Sequence, residues 1–544
     1  MAALRGADIL ARALARAGVK HLFTLSGNQI MPVYDATHEA GQVIHHVRHE
    51  GAAVHMADAW ARMTNEVGVA LVTGGPGHAN AVGALYTALA SESPMVLLSG
   101  HAPLKELHMG AFQEMRQADM AAPVVKAAFT AQSAATLGQD IARAMRHARF
   151  GRPGPVHLSL PFDVLEERVA DGESAIPASE AFAVKPVSPG DVVAKAVLEE
   201  LARAKRPLIL TGPAMSTDRG RDAQRSLAAA CGVPVICMES PRGVNDPCLG
   251  AFPTMLAQAD LIVLLGKQLD FTLKFGQAPA IAKDARFIVL DPDPEALRRA
   301  GYALGDPTRI ALAVLAEPYA CAQRLASLAS RRIAGGWSNE VEAALKHRPA
   351  AWAQIASAAG APAHPVEVGR AVQALIDTSK DAVLVSDGGE FGQWAQACVH
   401  APTRIINGPA GAIGSALPFA LAAKLARPAA TVIAMLGDGT FGFHAMEFDT
   451  AVRESLPLVA VIGNDACWNA EHQIQLRTYG RERAVGCTLL PTRYDQMVAA
   501  LGGHGEFSPG AADLPAALAR AVASGLPACV NAMIEGLPAP AVHA

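Results

Sequence analysis

The sequence predicts an α/β protein built of three doubly wound parallel-sheet domains. Short apolar runs ending in Gly or Pro alternate with Ala-rich helical stretches along most of the chain, the pattern of parallel strands covered by helices. The 544 residues exceed what one core can organise, and a prior of about 150 residues per domain gives three or four. Two interruptions choose three. Asp171 to Gly190 is rich in Pro, Ser, Glu and Ala without periodicity, and a basic helical stretch runs through Gly335-Gly336 and Arg348-Pro349. The expected domains are 1–170, 190–330 and 350–544.

The first domain opens on MAALRGADILARALARAGVKHLF, whose apolar residues keep helical spacing around Arg12 and Arg16; this is a folded helix, without the continuous apolar core of a signal peptide. Its expected strands are His21–Leu25, Val43–Val47, Val67–Thr73, Met95–Ser99 and Val156–Leu160. The second domain has Pro207–Leu210, Pro234–Cys237, Leu261–Leu265 and Phe287–Leu290, and carries no charged motif of the kind found elsewhere. The third has Ala382–Val385, Arg404–Ile406, Thr431–Leu436, Leu458–Ile462 and Ala528–Asn531.

Composition excludes several function classes. At 51% apolar, 18% charged and a net charge of −4, neither nucleic acid nor a membrane surface is an implied partner. No apolar run approaches the roughly 18 residues of a membrane span. The eight cysteines, Cys231, Cys237, Cys248, Cys321, Cys398, Cys467, Cys487 and Cys529, are scattered. Without C-x-x-C or Cys/His clustering, a zinc site or disulfide framework is disfavoured, and a reducing cytoplasm is the expected location.

The third domain carries the strongest motif. Gly437-Asp438-Gly439 is followed, twenty-five residues after Gly439, by Asn464-Asp465. One apolar run ends at Gly437, Ala445 to Ser455 reads as a helix, and a second apolar run ends at Asn464. In a right-handed parallel unit both strands finish on the same edge of the sheet, where open α/β sheets bind ligands. Asp438 and Asp465 should therefore face one site. Two hard oxygen ligands beside glycines that admit backbone amides suit Mg²⁺ holding a diphosphate. Alone, Asp438 is equally a helix N-cap after a glycine turn.

Glu50, in Arg48-His49-Glu50-Gly51-Ala52-Ala53, lies between the Val43 strand and an apolar helix. A carboxyl group there can be desolvated, its pKa raised and its proton shared with a ligand. It can also be a first-turn carboxylate stabilised by the helix dipole.

Together these motifs resemble the thiamin-diphosphate-dependent enzymes, in which Gly-Asp-Gly is followed after a βαβ-sized gap by Asn-Asn. The resemblance covers almost the full length, and the family's order of pyrimidine-binding, central and diphosphate-binding domains matches the three segments. It implies thiamin diphosphate and Mg²⁺ as cofactors, with Asp438, Asp465 and the backbone carbonyl of Cys467 as metal ligands. Gly437, Gly439, Thr440 and Asn464, with Gly388 and Gly389 of Asp387-Gly388-Gly389, fall on the diphosphate side. Ile413 of Gly411-Ala412-Ile413-Gly414 would prop the cofactor into its bent shape, and the Gly411 carbonyl would receive the 4′-amino group. Glu50 would face N1′ of the aminopyrimidine and favour the imino form that removes the C2 proton, giving an ylid and, after substrate cleavage, an enamine. Thr73-Gly74-Gly75-Pro76-Gly77 matches a close-packed turn near the pyrimidine. The family further implies a homodimer or homotetramer with the active site between chains, Glu50 from one and Asp438 from the other.

Two departures stand out. Asp465 replaces the second Asn, adding charge that should alter Mg²⁺ affinity without abolishing binding. Glu390-Phe391 replace the Gln-His of acetolactate synthases, leaving Glu390 protonated, turned away or used on substrate. Met109-Gly110-Ala111-Phe112-Gln113-Glu114 resembles acetolactate synthases and 2-hydroxyacyl-CoA lyases, making Gln113 a candidate donor to the substrate oxygen. Gln29 stands where benzaldehyde lyase has an active-site His, while Ile30 to Ala36 resembles acetolactate synthase. Leu269 to Gly276 lacks the synthases' Arg-Phe-Asp-Asp-Arg, and Ala466 to Glu471 lacks their Gly-Met-Val, so FAD is not supported; a nucleotide near Asp291-Pro292-Asp293 stays open. Trp468 and Glu471 are candidates for an acceptor pocket.

The expected activity is a lyase or carboligase on 2-hydroxyacyl compounds with an aldehyde partner. The alternative is acetolactate-synthase-like condensation of 2-oxoacids. A CoA thioester is the weakest part, because the tail after Asn531 is short and Pro-rich. A non-catalytic scaffold would keep the metal pair but would not need Glu50.

Overall fold

The computed structural model describes residues 3–329 and 335–542. The expected domain ends at 1, 330 and 544 lie outside the described residues. Three all-parallel sheets carry the chain. In the first compact unit, which comprises the chain to Lys185 together with Leu421–Ala426, the spatial order of strands is Val43–His46, His21–Thr24, Gly68–Val72, Met95–His101, Pro155–Pro161 and Ala127–Thr130. A short antiparallel pair, Leu4–Arg5 with Arg168–Val169, lies outside it.

In the second unit the central sheet runs Val235–Cys237, Pro207–Thr211, Leu261–Leu265, Arg286–Asp291 and Ile310–Leu315. The last sheet runs Thr403–Ile406, Ala382–Asp387, Thr431–Gly437, Val459–Asn464, Ala528–Met533 and His504–Ser508. Numbered along the chain, the first and last sheets share the order 2-1-3-4-6-5 and the central sheet has 2-1-3-4-5. In each, the chain reverses direction between strands 1 and 3, the switch point where doubly wound sheets open a crevice at the strands' carboxyl ends.

Period-two alternation explains why these sheets are covered twice. In the central sheet Leu208, Leu210, Ile262, Leu264, Phe287 and Val289 enter one core, while Ile209, Val263, Leu265, Ile288 and Leu290 enter the other. Trp337, on the helix Trp337–Lys346, joins the first of these cores.

The sequence reading missed one strand per sheet: Ala127–Thr130, Ile310–Leu315 and His504–Ser508. All three are edge strands. Only Ser508 among their residues is fully buried, so they need none of the continuous apolar burial that marks interior strands. The helix expected at Ala445–Ser455 instead comprises Asp438–His444 and Glu447–Arg453. Gly439 and Gly442 disfavour helix, but Phe441 and Phe448 are 1% and 0% exposed, and their burial overrides local propensity. No described helix is long and apolar enough to cross a membrane.

Candidate active site

Two sets of sequence-predicted residues gather at the carboxyl edges of the first and last sheets. In the last sheet, strand 1 ends at Asp387 and strand 3 at Gly437, and a cleft of about 210 Å³ opens there. Gly388, Gly389, Gly411, Ile413, Gly437, Asp438, Gly439, Thr440, Asp465 and Cys467 all line it. Three helices start at its wall: Gly389–Cys398, Asp438–His444 and Asn469–Thr478. Their first-turn amides lack intrahelical partners, so the cleft offers N–H groups to an anion.

Asp438 is 2% exposed and, among the described residues, its Oδ2 has no hydrogen-bond partner. Burial pushes its carboxyl up to about 6, against the pull of the Gly439, Ala466 and Cys467 amides. Asp465, just beyond the adjacent strand, is pushed to about 7, first by burial and then by the Asp438 charge. A cation would relieve this pair. Asn464 stands apart: its amide donates to the Thr492 carbonyl at 3.0 Å and to Asn531 Oδ1 at 3.1 Å, and its Oδ1 accepts from Ala466 N. It braces the loop that carries Asp465 and does not line the cleft. The Cys467 thiol is pushed up to about 11 by burial, while its Sγ lies 3.3 Å from His472 Nδ1.

Asp387 was not singled out by the sequence, because it is one acid in a glycine turn. Fully buried, its Oδ2 accepts from Gly414 N at 2.8 Å and Ala416 N at 3.0 Å. It thereby ties the Ile413 loop to the Gly388-Gly389 turn, where a Cβ on Gly388 would fall 2.8 Å from Ile413 Cγ2 and 2.6 Å from Thr440 Oγ1. Glu390 is turned into the cleft, 7% exposed, with Gln393 Nε2 donating to it at 2.7 Å. Burial raises its pKa, opposed by the Ala539 amide and by Arg242 and Arg477.

Arg242 was also missed, since nothing in its own segment marks it. It enters from the central sheet's loop beside Pro241, whose Cβ lies 3.7 Å from a Cβ built on Gly411. The partly buried Arg404 anchors that loop by pairing with Glu239 at 3.0 Å and Asp246 at 3.4 Å. Trp468 walls the cleft above Gly439, with Phe443 edge-on at 6.3 Å, and Glu471 lines it further out. The tail is pinned across this region by Asn469 Nδ2 to the Leu537 carbonyl at 2.8 Å and Trp394 Nε1 to the Pro538 carbonyl at 3.0 Å. Asp291 and Asp293 are spent on the start of the helix Pro294–Leu304, accepting from Asp293 N and Glu295 N.

In the first sheet, Glu50 begins the helix Glu50–Thr64, 8% exposed, and Asn80 Nδ2 donates to its Oε2 at 3.0 Å. His49 caps that helix by accepting from Gly51 N. Thr73 follows strand 3, and a Cβ on Gly77 would lie 3.2 Å from Glu50 Oε1 and 2.7 Å from Thr73 Cγ2. Gln29 and Gln113 meet at the same switch point, Gln29 Nε2 donating to Gln113 Oε1 at 2.8 Å. Gln117, 1% exposed, accepts from Gly75 N at 2.9 Å and donates to the Gly100 carbonyl, fixing the Gly75 turn beneath Gln113. Gly75 has φ +56°, and a Cβ there would lie 2.8 Å from Gln113 Cβ.

Residues 4–120 match the family described as Thiamine pyrophosphate enzyme, N-terminal TPP binding domain. Residues 194–315 match its central domain and residues 387–532 its C-terminal TPP binding domain. The chain is 34% identical to the Acetolactate synthase large subunit IlvG of Mycobacterium tuberculosis over 537 residues, 97% of this chain and 95% of the relative. It is 32% identical to 2-hydroxyacyl-CoA lyase 2 of Bos taurus over 549 residues, covering 92% of this chain and 84% of the relative. The human 2-hydroxyacyl-CoA lyase 2 is 31% identical over 545 residues, with the same coverage.

Proposed function

Because this chain belongs to the thiamine pyrophosphate enzyme family, as a thiamin-diphosphate-dependent carbon–carbon lyase or transferase, we propose that it cleaves or forms the bond of a 2-hydroxyacyl compound with an aldehyde as partner. The observation that carries this substrate reading is the closure of the segment Lys267 to Lys274 on itself. Lys267 and Thr272 are 3% and 2% exposed, Lys267 Nζ donates to Thr272 Oγ1 at 2.6 Å, and it pairs with Asp270 at 3.4 Å. Where acetolactate synthases carry Arg-Phe-Asp-Asp-Arg, the buried cation of this segment, Lys267, is spent on its own neighbours.

The cleft fits a diphosphate and a divalent cation. Among the described residues Asp438 Oδ2 is buried without a partner, and Cβ atoms on Gly389 and Gly437 would meet nothing within 4 Å, so both turns border open space. Asp438, Asp465 and the Cys467 carbonyl would hold Mg²⁺. Gly388, Gly389, Gly437, Gly439 and Thr440 would surround the diphosphate, and Gly411 and Ile413 the ring end. When bound, thiamin diphosphate supplies a carbon nucleophile and an electron sink. Glu50 would hold a proton at a ring nitrogen, kept in place by Asn80. Gln113 would donate to the substrate oxygen where negative charge develops. Trp468 would exclude water from the acceptor side.

The division 1–170, 190–330 and 350–544 is proposed as pyrimidine-binding, central and diphosphate-binding, working in the cytoplasm as a homodimer or homotetramer with Glu50 and Asp438 from different chains. Exposed apolar side chains beside each half of the site support this, Met109 at 77% and Phe112 at 69% before Gln113, and Val485 and Leu490 at 76% beyond Trp468.

One observation favours a second reading, condensation of 2-oxoacids. Arg242 is exposed and is the one cation among the described residues that line the cleft, and it would attract a substrate carboxylate. The deciding experiment incubates the protein with thiamin diphosphate, Mg²⁺ and either pyruvate, benzoin or a 2-hydroxyacyl-CoA, with products identified by mass spectrometry. Aldehyde release from a 2-hydroxyacyl compound or benzoin supports the first reading; acetolactate from pyruvate alone overturns it.

A further inference from the structure

Gln29 and Gln113 are linked by a hydrogen-bond chain whose direction is set by a group that can only donate. The backbone N–H of Gly74 reaches Gln29 Oε1 at 3.4 Å, and the Thr73 hydroxyl donates to the same oxygen. With its oxygen assigned to these two donors, the Gln29 amide must turn its NH₂ the other way. That NH₂ donates to Gln113 Oε1 at 2.8 Å. The Gln113 oxygen is therefore engaged, and its NH₂ is the end left to face outward. Among the described residues that NH₂ has no protein partner.

Packing leaves Gln29 little freedom to reverse the chain. It is 4% exposed, and a Cβ on Gly100 would fall 2.7 Å from Gln29 Cβ, so the root of the side chain packs closely on strand 4. Gln113 sits at φ +58°, held over Gly75. The backbone thus places the Gln113 amide, and Gln29 decides which end of it is presented.

We infer that Gln29 is a positioning residue that presents the Gln113 NH₂ to substrate, and that it transfers no proton. The inference rests on the proposed role of Gln113 as donor to the substrate oxygen. A carboxamide has no titration in the working range, whereas its oriented dipole selects donor over acceptor at its neighbour.

Gln29→Glu is the test. The ionised carboxylate of this variant keeps the shape and still accepts from Thr73 and Gly74, but it can only accept from Gln113 as well, so the Gln113 amide must flip and show its oxygen to substrate. The loss expected is that of one preorganised donor, on the order of 100-fold in kcat. Protonation of the introduced carboxylate restores an O–H that donates to Gln113 Oε1, so the variant should regain activity as pH falls. The titratable groups nearby are Glu50 beyond Thr73, His101 beyond Gly100, and Glu114 next to Gln113; wild type shares them, and the ratio of the two pH profiles isolates position 29.

The assay uses whichever of pyruvate, benzoin and a 2-hydroxyacyl-CoA the wild type turns over. Q113A should lose a similar factor, and Q29E in the Q113A background should lose no more than about twofold further, because the effect runs through Gln113. In protein labelled with ¹⁵N-glutamine, the Gln113 side-chain amide signal should move downfield in Q29E, where it binds a carboxylate. If Q29E does not fold, Gln29→Met, which frees the Gln113 amide to rotate, should cost about tenfold in kcat. Full activity in Q113A overturns both the inference and the proposed donor role. A large loss in Q113A with an unshifted signal and wild-type kcat in Q29E overturns the inference alone.

Discussion

Asp438 and Asp465 end adjacent parallel strands, Thr431–Gly437 and Val459–Asn464, and lie close enough that the Asp438 charge adds to burial in raising the Asp465 carboxyl to about 7. Buried repulsion of this kind is costly unless a cation answers it. A divalent ion at the proposed Mg²⁺ site would relieve that cost.

Asp465→Asn tests that reading. Removing one charge should raise the thermal midpoint of the cofactor-free protein while weakening Mg²⁺ binding in the presence of thiamin diphosphate, by about tenfold if affinity follows ligand charge. Calorimetry of Mg²⁺ binding and a melting curve check both signs. Undiminished Mg²⁺ binding would show that the Asp465 charge does not face the ion.

Gly77→Ala would push a methyl group to 2.7 Å from Thr73 Cγ2 and 3.2 Å from Glu50 Oε1. Overpacking of this sort costs about 1–3 kcal/mol. Because the helix Pro76–Ala90 and Glu50 must separate to admit it, kcat should fall more than stability. Urea unfolding and steady-state kinetics on the same variant separate the two; a loss of stability alone would detach Gly77 from the site.

Acid should destabilise the first unit through its buried histidines. His78 and His157 are both 0% exposed, 4.5 Å apart between ring centres, and bonded to Ser99 Oγ and Ser159 Oγ. Burial lowers His78 to about 4 and His157 well below its ordinary value. Below about pH 6.5 the unfolded chain binds protons that the native state refuses, so stability is full above that pH and falls as pH drops toward 4. His78 alone accounts for about 3 kcal/mol over that window. Urea midpoints at pH 7 and pH 5 should differ, and His78→Gln should narrow the difference; an unchanged difference would remove His78 from the account.

Association should accompany activity. Sedimentation of the loaded enzyme should give a dimer or tetramer, and Phe112→Asp, at a side chain 69% exposed in the single chain, should weaken it. A fully active monomer would contradict a site built from two chains.

What the sequence made legible follows the physics of each element. Interior strands such as Leu261–Leu265, buried on both faces, announce themselves as continuous apolar runs. The edge strands Ala127–Thr130 and His504–Ser508 do not, because water covers part of each. Within the site, Asp438 and Glu50 were readable as candidates because each adjoins a glycine in a local motif, and Asp465 because it closes the next apolar strand run. Arg242, the Asp387 brace and the direction of the Gln29–Gln113 bond were not, since each depends on segments far apart in the chain, eighty-four residues for the two glutamines.

Glu50 is proposed to act on thiamin diphosphate held with Mg²⁺ by Asp438 and Asp465, and the chemistry proposed for the rest of the site depends on it. Its most direct test is turnover by Glu50→Gln, with cofactor affinity measured by calorimetry on the same preparation. Turnover should fall by at least about 100-fold in kcat with thiamin diphosphate still bound within a few fold of wild type. Wild-type turnover in the variant would contradict it.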